Sequence, residues 1–333
     1  MIIMKRNIVK VICGIGLLCS LWSCENGSQS FPDFEGGTTV YFPYQYPVRT
    51  IEFGDNEEFD LTLDNAGKCQ IKATFGGSYN GSNGSVTVAI DESLCDNLFF
   101  EDGVTPVKAM PREYYQLSTT TLNFNNTMNG ATEVQLTDAF FSDPDAVNNT
   151  YVIPLVMTGQ TGFGKILTGT LNEGQTGSRT DASVWDVKPM DYVLYCVKFQ
   201  NKYSGWWRTH HTASTENIES ATEVQIKTVS LNSCSYAVSY QDGDKLYEAD
   251  LLLTFDSSNN CTITSLTDGV TATGSGSWGD NTEKKAWGNK DRDGLELDYA
   301  VDFGEGHKWA THEKMIWERS GVKVEEFSPV YNK

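Results

Sequence analysis

The sequence predicts an all-β protein in two parts, an antiparallel β-sandwich followed by an up-and-down β-barrel. Three observations carry this. Short alternating or β-branched runs, such as "TTVYF" at 38 and "GSVTVAID" at 84, recur without any sustained period of 3.6. Turn clusters such as "SYNGSNGS" separate them, where Asn-Gly supplies the positive φ of a tight hairpin. In the last third the runs follow one another as a meander with short turns, the order that closes a barrel without exposed edges.

The chain opens with Lys5, Arg6 and Lys10 and then an apolar stretch from Val11 to Trp22. That stretch is too short for a bilayer span, which takes about 20 apolar residues. Residues 1–23 therefore read as a secretory signal peptide. Its end, Leu21-Trp22-Ser23-Cys24, resembles a bacterial lipobox, and the bulky Trp22 resembles those of Bacteroidetes. The resemblance implies cleavage behind Ser23 and a lipid on Cys24, which with two or three acyl chains anchors stably. Residues 24–37, rich in Gly, Ser and Asn, read as a flexible spacer.

Composition narrows the partners. Against 44 Asp and Glu stand 25 Lys and Arg, a net charge of −19, and the signal peptide takes three of the cations with it. So acidic a surface repels phosphates, which argues against nucleic acid and against attachment to anionic lipid other than through Cys24. After processing, Cys69, Cys95, Cys196, Cys234 and Cys261 remain unlipidated, and no Cys-x-x-Cys pair points to zinc or redox work.

Residues 38–168 contain "CQIKATFGG", "TEVQL" and "TYVIPLVMTG", the strands of the sandwich, with Pro154 marking an edge or a bulge. Residues 169–185 are polar, turn-rich and aperiodic, and read as the inter-domain linker. Residues 186–333 form the meander, beginning with "YVLYCVKF" and ending with "ATHEKMIWER". Alternation in "LELDYAVDF" puts Leu295, Leu297, Tyr299, Val301 and Phe303 on a core face, with Glu296, Asp298, Ala300 and Asp302 facing out.

Two stretches are specific enough to suggest relatives. The span 31–168, with "VQLTDAFF" and "NNTYVIPLVMTG", resembles the Ig-like N-terminal domain of Bacteroidetes surface lipoproteins associated with polysaccharide-utilization systems. The span 186–333, with "WGNKDRDGLELDYAVDF" and "GVKVEEFSPVY", is similar to a C-terminal domain of unknown function found behind it. The resemblance implies a lipocalin-like barrel after the sandwich, an outer-membrane lipoprotein on the cell surface or periplasmic face, and a place beside a glycan-uptake complex. It implies no catalytic residue. Independently, Gly205-Trp206-Trp207 matches the Gly-x-Trp of a lipocalin first strand, which would make Trp207 the barrel floor with Arg319 over it.

Aromatic side chains hold sugars by stacking on the apolar face of the ring. Trp206, Trp278, Trp287 and Trp309, each near Gly, Asn, Asp or His, are the candidate ligand-binding residues, set against the commoner role of tryptophan as core. Asn289, Asp291 and Asp293 resemble half a calcium loop, yet its twelfth position would be Ala300, so an acidic hairpin turn is expected and calcium is the lesser alternative. No other cofactor is expected. His210, His211, His307 and His312 lack a recognised ligand spacing. No Gly-x-Ser-x-Gly, His-Glu-x-x-His or phosphate loop occurs, and Asp298 and Asp302 on one strand face stand roughly 13 Å apart, too far for a glycosidase pair. The expectation is a lipid-anchored, non-catalytic glycan binder. A lipocalin-like carrier of a small apolar ligand and a cryptic glycoside hydrolase are the alternatives.

Overall fold

The computed structural model describes residues 32–56, 59–211, 222–286 and 288–332. The expected signal peptide, Cys24, most of the expected 24–37 spacer and Trp287 lie outside the described residues.

The fold is all-β, an Ig-like sandwich carrying a closed lipocalin-like barrel. One sandwich sheet runs in the order Lys165–Ile166, Thr39–Tyr41, Lys68–Gly76, Asn129–Leu136, Tyr115–Leu117. The other runs Glu325–Glu326, Pro47–Glu52, Tyr192–Gln200, Tyr151–Thr161, Ser85–Ile90, Thr121–Asn123, with Lys108–Ala109 beside Tyr151–Thr161. Alternation does the sorting: Cys69, Ile71, Ala73 and Phe75 point inward from their strand and meet Ile153, Leu155, Val193 and Val197 of the facing sheet.

Two domain expectations fail here. "YVLYCVKF" is not the first barrel strand. It pairs antiparallel with Tyr151–Thr161 and parallel with Pro47–Glu52, in the middle of the sandwich. Its unbroken apolar run reflects burial on both faces: Val193, Val197 and Phe199 enter the main core, while Tyr192, Leu194 and Cys196 enter a second core with Leu98, Phe100 and Phe327. Residues 169–185 are likewise not the inter-domain linker. They fold into the short pair Thr170–Leu171 and Trp185–Val187 on the sandwich, with Asp181 capping Ala182–Val184 and the Trp185 indole donating to Ser178 O at 3.0 Å. Between the two strands, Arg179 bridges to the fully buried Asp191 beyond them at 3.2 Å. Pro154, too, lies in a central strand. Its carbonyl accepts from Asp91 N, so its missing N–H faces the end of Ser85–Ile90, where the ladder has already stopped.

The barrel comprises Gly205–His211, Glu223–Ser230, Ser233–Asp242, Lys245–Phe255, Asn260–Ser265, Thr271–Glu283, Arg292–Asp302 and Lys308–Arg319, each paired with its sequence neighbour and the last with the first. It is an excursion out of the sandwich. The chain leaves after Gln200, and after Arg319 it returns to add Glu325–Glu326 to Pro47–Glu52 and Val330–Tyr331 to Leu98–Phe99. The crossings are pinned together: Gln200 Nε2 donates to Ser320 O at 3.1 Å, and buried Asn201 donates to Ser230 O and Ser233 O at 2.7 and 3.0 Å.

The barrel interior is filled. Leu295, Leu297, Tyr299 and Val301 point in as their alternation requires, and join Leu251, Leu253, Ile263, Met315 and Trp207 in one buried cluster. Inward-facing Gly276 makes room for them, since a Cβ there would lie 2.6 Å from the Leu297 side chain and 3.0 Å from Cys261 Sγ. Cys69, Cys95, Cys196, Cys234 and Cys261 are all free thiols, and burial pushes four of them up to about 12 and Cys234 to about 11.

Candidate functional site

The barrel floor faces the sandwich across a cleft of about 480 Å³. The sandwich supplies the end of Pro47–Glu52 and the turn after it, Phe53, Gly54 and Asp55, together with Asn65. The crossing supplies Gln200, Asn201, Lys202 and Ser204. The barrel supplies Asn259, Trp278, Asp280, Asp293 and Trp317 from the floor ends of its strands. A second cleft of about 420 Å³ continues it past Asp55, Asn65, Asp293 and Trp317.

Trp278 is the centre of its barrel wall. Tyr203 meets it edge-on at 5.6 Å, and the Lys202 ammonium lies 4.4 Å from the ring centroid while donating to Asn259 Oδ1 at 3.0 Å. The same Asn259 oxygen accepts from Tyr203 OH at 2.9 Å, and Tyr203 stacks on Phe255 at 3.8 Å, which fixes the wall. The buried indole N–H of Trp278 has no hydrogen-bond partner among the described residues. An orphaned donor of this kind costs about 1–3 kcal/mol.

Carboxylates of unequal character line the same space. Burial pushes Asp293 up to about 6, the neighbouring Asp280 and Asp55 add to the rise, and the Asn281 N–H, donating at 2.9 Å, opposes it. Burial also raises the Glu52 carboxyl, partly offset by the Asn56 amide at 3.1 Å. For Asp293 the sign is definite. An acid whose folded pKa lies above its unfolded value, about 3.9, destabilises the fold progressively as pH rises through the interval up to about 6. Partial exposure limits the effect to about 1–2 kcal/mol. Asp293→Asn is expected to be more stable than the wild type by that amount at neutral pH and equal to it below about pH 4. Urea denaturation at both ends of the interval checks this, and a pH-independent difference contradicts it.

Of the described tryptophans singled out from sequence, Trp206, Trp278 and Trp309, the structure brings only Trp278 into the cleft. Trp206 lies on the outer wall with the Arg319 guanidinium 4.9 Å from its ring, held there by Glu223 and by Glu318 at 3.1 Å. The cation was expected over Trp207. A bulge between Trp206 and Trp207 shifts the register, pairing Arg319 with Trp206 and Trp317 with Trp207. Trp309 sits at the opposite mouth. Tyr240 stacks on it at 5.1 Å and His307 at 6.2 Å, with Phe303 and Tyr247 completing an aromatic cap, so its faces are already taken. The three residues form no common platform.

The carboxylates of the expected calcium half-loop are engaged within the chain. Asp291 is held by Lys284 at 2.9 Å and by the Lys285 N–H at 3.1 Å, while Asp293 accepts from Asn281 in the cleft and Asn289 occupies a positive-φ turn position. The oxygens are committed to a hairpin. Among the described residues no group of three His, Cys, Asp or Glu converges as a metal site. His307 and His312 pair separately with Asp242 at 3.3 Å and Asp298 at 2.6 Å. Sequence reasoning missed Trp317, Lys202, Asn259 and the whole sandwich side of the cleft. Trp317 was visible as a tryptophan, but nothing local shows that Phe53 and Asn65 stand opposite it.

Comparison with known proteins follows the same division. Residues 34–164 match an N-terminal domain family, and residues 197–321 match a domain of unknown function, DUF5627. The whole structure superposes on the crystal structure of a Bacteroides ovatus protein of unknown function with a TM-score of 0.83 and 32% identity, over 90% of this chain and 100% of that one. The chain belongs to the family of this Bacteroides protein. The sandwich with its inserted barrel is thus the family's fold, since the alignment spans both. A multidomain Bacteroides ovatus protein including DUF1735 is more distant, with a TM-score of 0.40 and 12% identity over 84% of this chain and 92% of that one. Another Bacteroides ovatus protein of unknown function has a TM-score of 0.35 and 10% identity over 86% and 88%. No curated protein matches the chain.

Proposed function

We propose that this protein is a lipid-anchored outer-membrane protein that binds glycan non-catalytically within a polysaccharide-utilization system, and that its binding site is the inter-domain cleft. The observation that carries the reading is the company Trp278 keeps. Its indole lines one cleft of about 480 Å³ together with the Trp317 ring and the amide side chains of Asn65, Gln200 and Asn259. Apolar ring faces and hydroxyl-binding amides are the two things a pyranose requires. The carrier alternative requires a hollow barrel, and the interior of this one is packed with Leu251, Leu253, Leu297 and Trp207.

A glycan array with the full mature chain, followed by titration of the best ligand, tests the reading. Trp278→Ala is expected to weaken binding about tenfold or more, equivalent to about 1.4 kcal/mol, whereas Trp206→Ala leaves it unchanged. An array without any bound glycan, or a Trp278→Ala protein of wild-type affinity, sinks the proposal. The raised Asp293 favours a second reading, a glycoside hydrolase with Asp293 as proton donor. Release of new reducing ends during the titration distinguishes the two.

For the anchor, the signal-like start and Ser23-Cys24 support lipidation. Cys24→Ser is expected to abolish radiolabelled-palmitate incorporation, and unchanged incorporation contradicts the assignment.

A further inference from the structure

We infer that the cleft selects sugars bearing a free, protonated amine over neutral and acidic ones; this rests on the glycan-binding reading above and names its ligand class, an oligosaccharide of hexosamine. The first support is the balance of charge on the walls. Among the described residues Glu52, Asp55, Asp280 and Asp293 line the space against Lys202, with Asp60, Asp291 and Arg292 in the adjoining cleft. The second is what Lys202 itself does. Its primary ammonium lies on the Trp278 face at 4.4 Å and on the Tyr203 ring at 5.1 Å, with the Asn259 side-chain oxygen as acceptor at 3.0 Å. The wall is therefore built to receive an ammonium group: an electron-rich ring, an amide oxygen, and carboxylates behind. A hexosamine carries such an ammonium on its ring.

Lys202 lies in the crossing between the domains, and its flexible stem lets a ligand amine take its place on the indole. The field of the whole protein acts in the same direction, since a net charge of −19 steers cationic sugars inward and repels uronic acids and sulfated sugars.

Calorimetric titration of the full mature chain with the tetramer of glucosamine, its fully N-acetylated counterpart and the tetramer of galacturonic acid tests the inference. The amine tetramer is expected to bind about tenfold more tightly than the acetylated one, and the uronic tetramer not at all. Asp280→Asn, alone and combined with Asp293→Asn, is expected to remove the preference while sparing the acetylated tetramer. Lys202→Met, which frees the indole face and deletes the competing charge, is expected to tighten the amine tetramer about threefold. Equal affinities that still depend on Trp278 overturn the inference and leave glycan binding standing. No binding by these tetramers or by any arrayed glycan overturns both. Amine binding that ignores Trp278→Ala, Asp280→Asn and Lys202→Met is bulk attraction to an acidic surface and overturns the inference as well.

Discussion

Trp207→Ala is expected to destabilise the barrel by about 3–5 kcal/mol, the usual cost of emptying a core aromatic. Trp207 is wholly buried, and its indole N–H donates to Tyr203 O at 3.2 Å, so truncation leaves both a cavity and an unpaired carbonyl. Its place depends on Gly205, which takes a φ of +131° and would bring a Cβ within 2.7 Å of Arg319 O. Trp206, one residue along, faces outward under Arg319 and is expected to cost only about 1 kcal/mol on removal, mostly the cation–π contact. Tryptophan fluorescence during denaturation mainly follows this transition, because among the described residues Trp206, Trp207, Trp278, Trp309 and Trp317 belong to the barrel and only Trp185 to the sandwich. A benign Trp207→Ala beside an unfolded Trp206→Ala would show the opposite register.

Phe327→Ala is expected to cost a similar amount, about 3–5 kcal/mol, but in the sandwich. Phe327 follows the barrel in sequence, yet it is 2% exposed and packs between Tyr46 at 5.4 Å and Phe100 at 5.0 Å, with its N–H donating to Tyr46 O at 3.0 Å. Removing it loosens the return strand and the nearby ion pair of Lys198 with Glu325 at 3.0 Å. Far-ultraviolet circular dichroism, to which both domains contribute, is expected to gain an earlier transition from the sandwich while the mainly barrel-derived fluorescence transition moves little. An unchanged sandwich transition contradicts the assignment of the tail to that domain.

The return of the tail bears on the cleft. Because the barrel is joined to the sandwich at both Asn201–Ser204 and Ser320, and Gln200 ties the two crossings together, the cleft walls are held by two connections rather than one hinge. A site on such a mount keeps its geometry without a ligand, which lowers the ordering cost of binding.

Local pattern determined the all-β class, the barrel meander, the inward face of Arg292–Asp302 and the burial of Trp207, because each depends on the period-two alternation of one strand or on one glycine. Only the tertiary structure decided where Tyr192–Gln200 pairs. An unbroken apolar run states that both faces are covered, and says nothing about what covers them. The same limit hid the tail, whose strands Glu325–Glu326 and Val330–Tyr331 are too short to show a period. A one-residue bulge sets Arg319 opposite Trp206, where regular pairing would set Glu318, and alternation cannot foresee it. The cleft was least legible of all. Asp55 and Asn65 meet Trp278, Asp293 and Trp317 across more than half the chain, and their shared chemistry exists only because the barrel is planted on the sandwich at both ends.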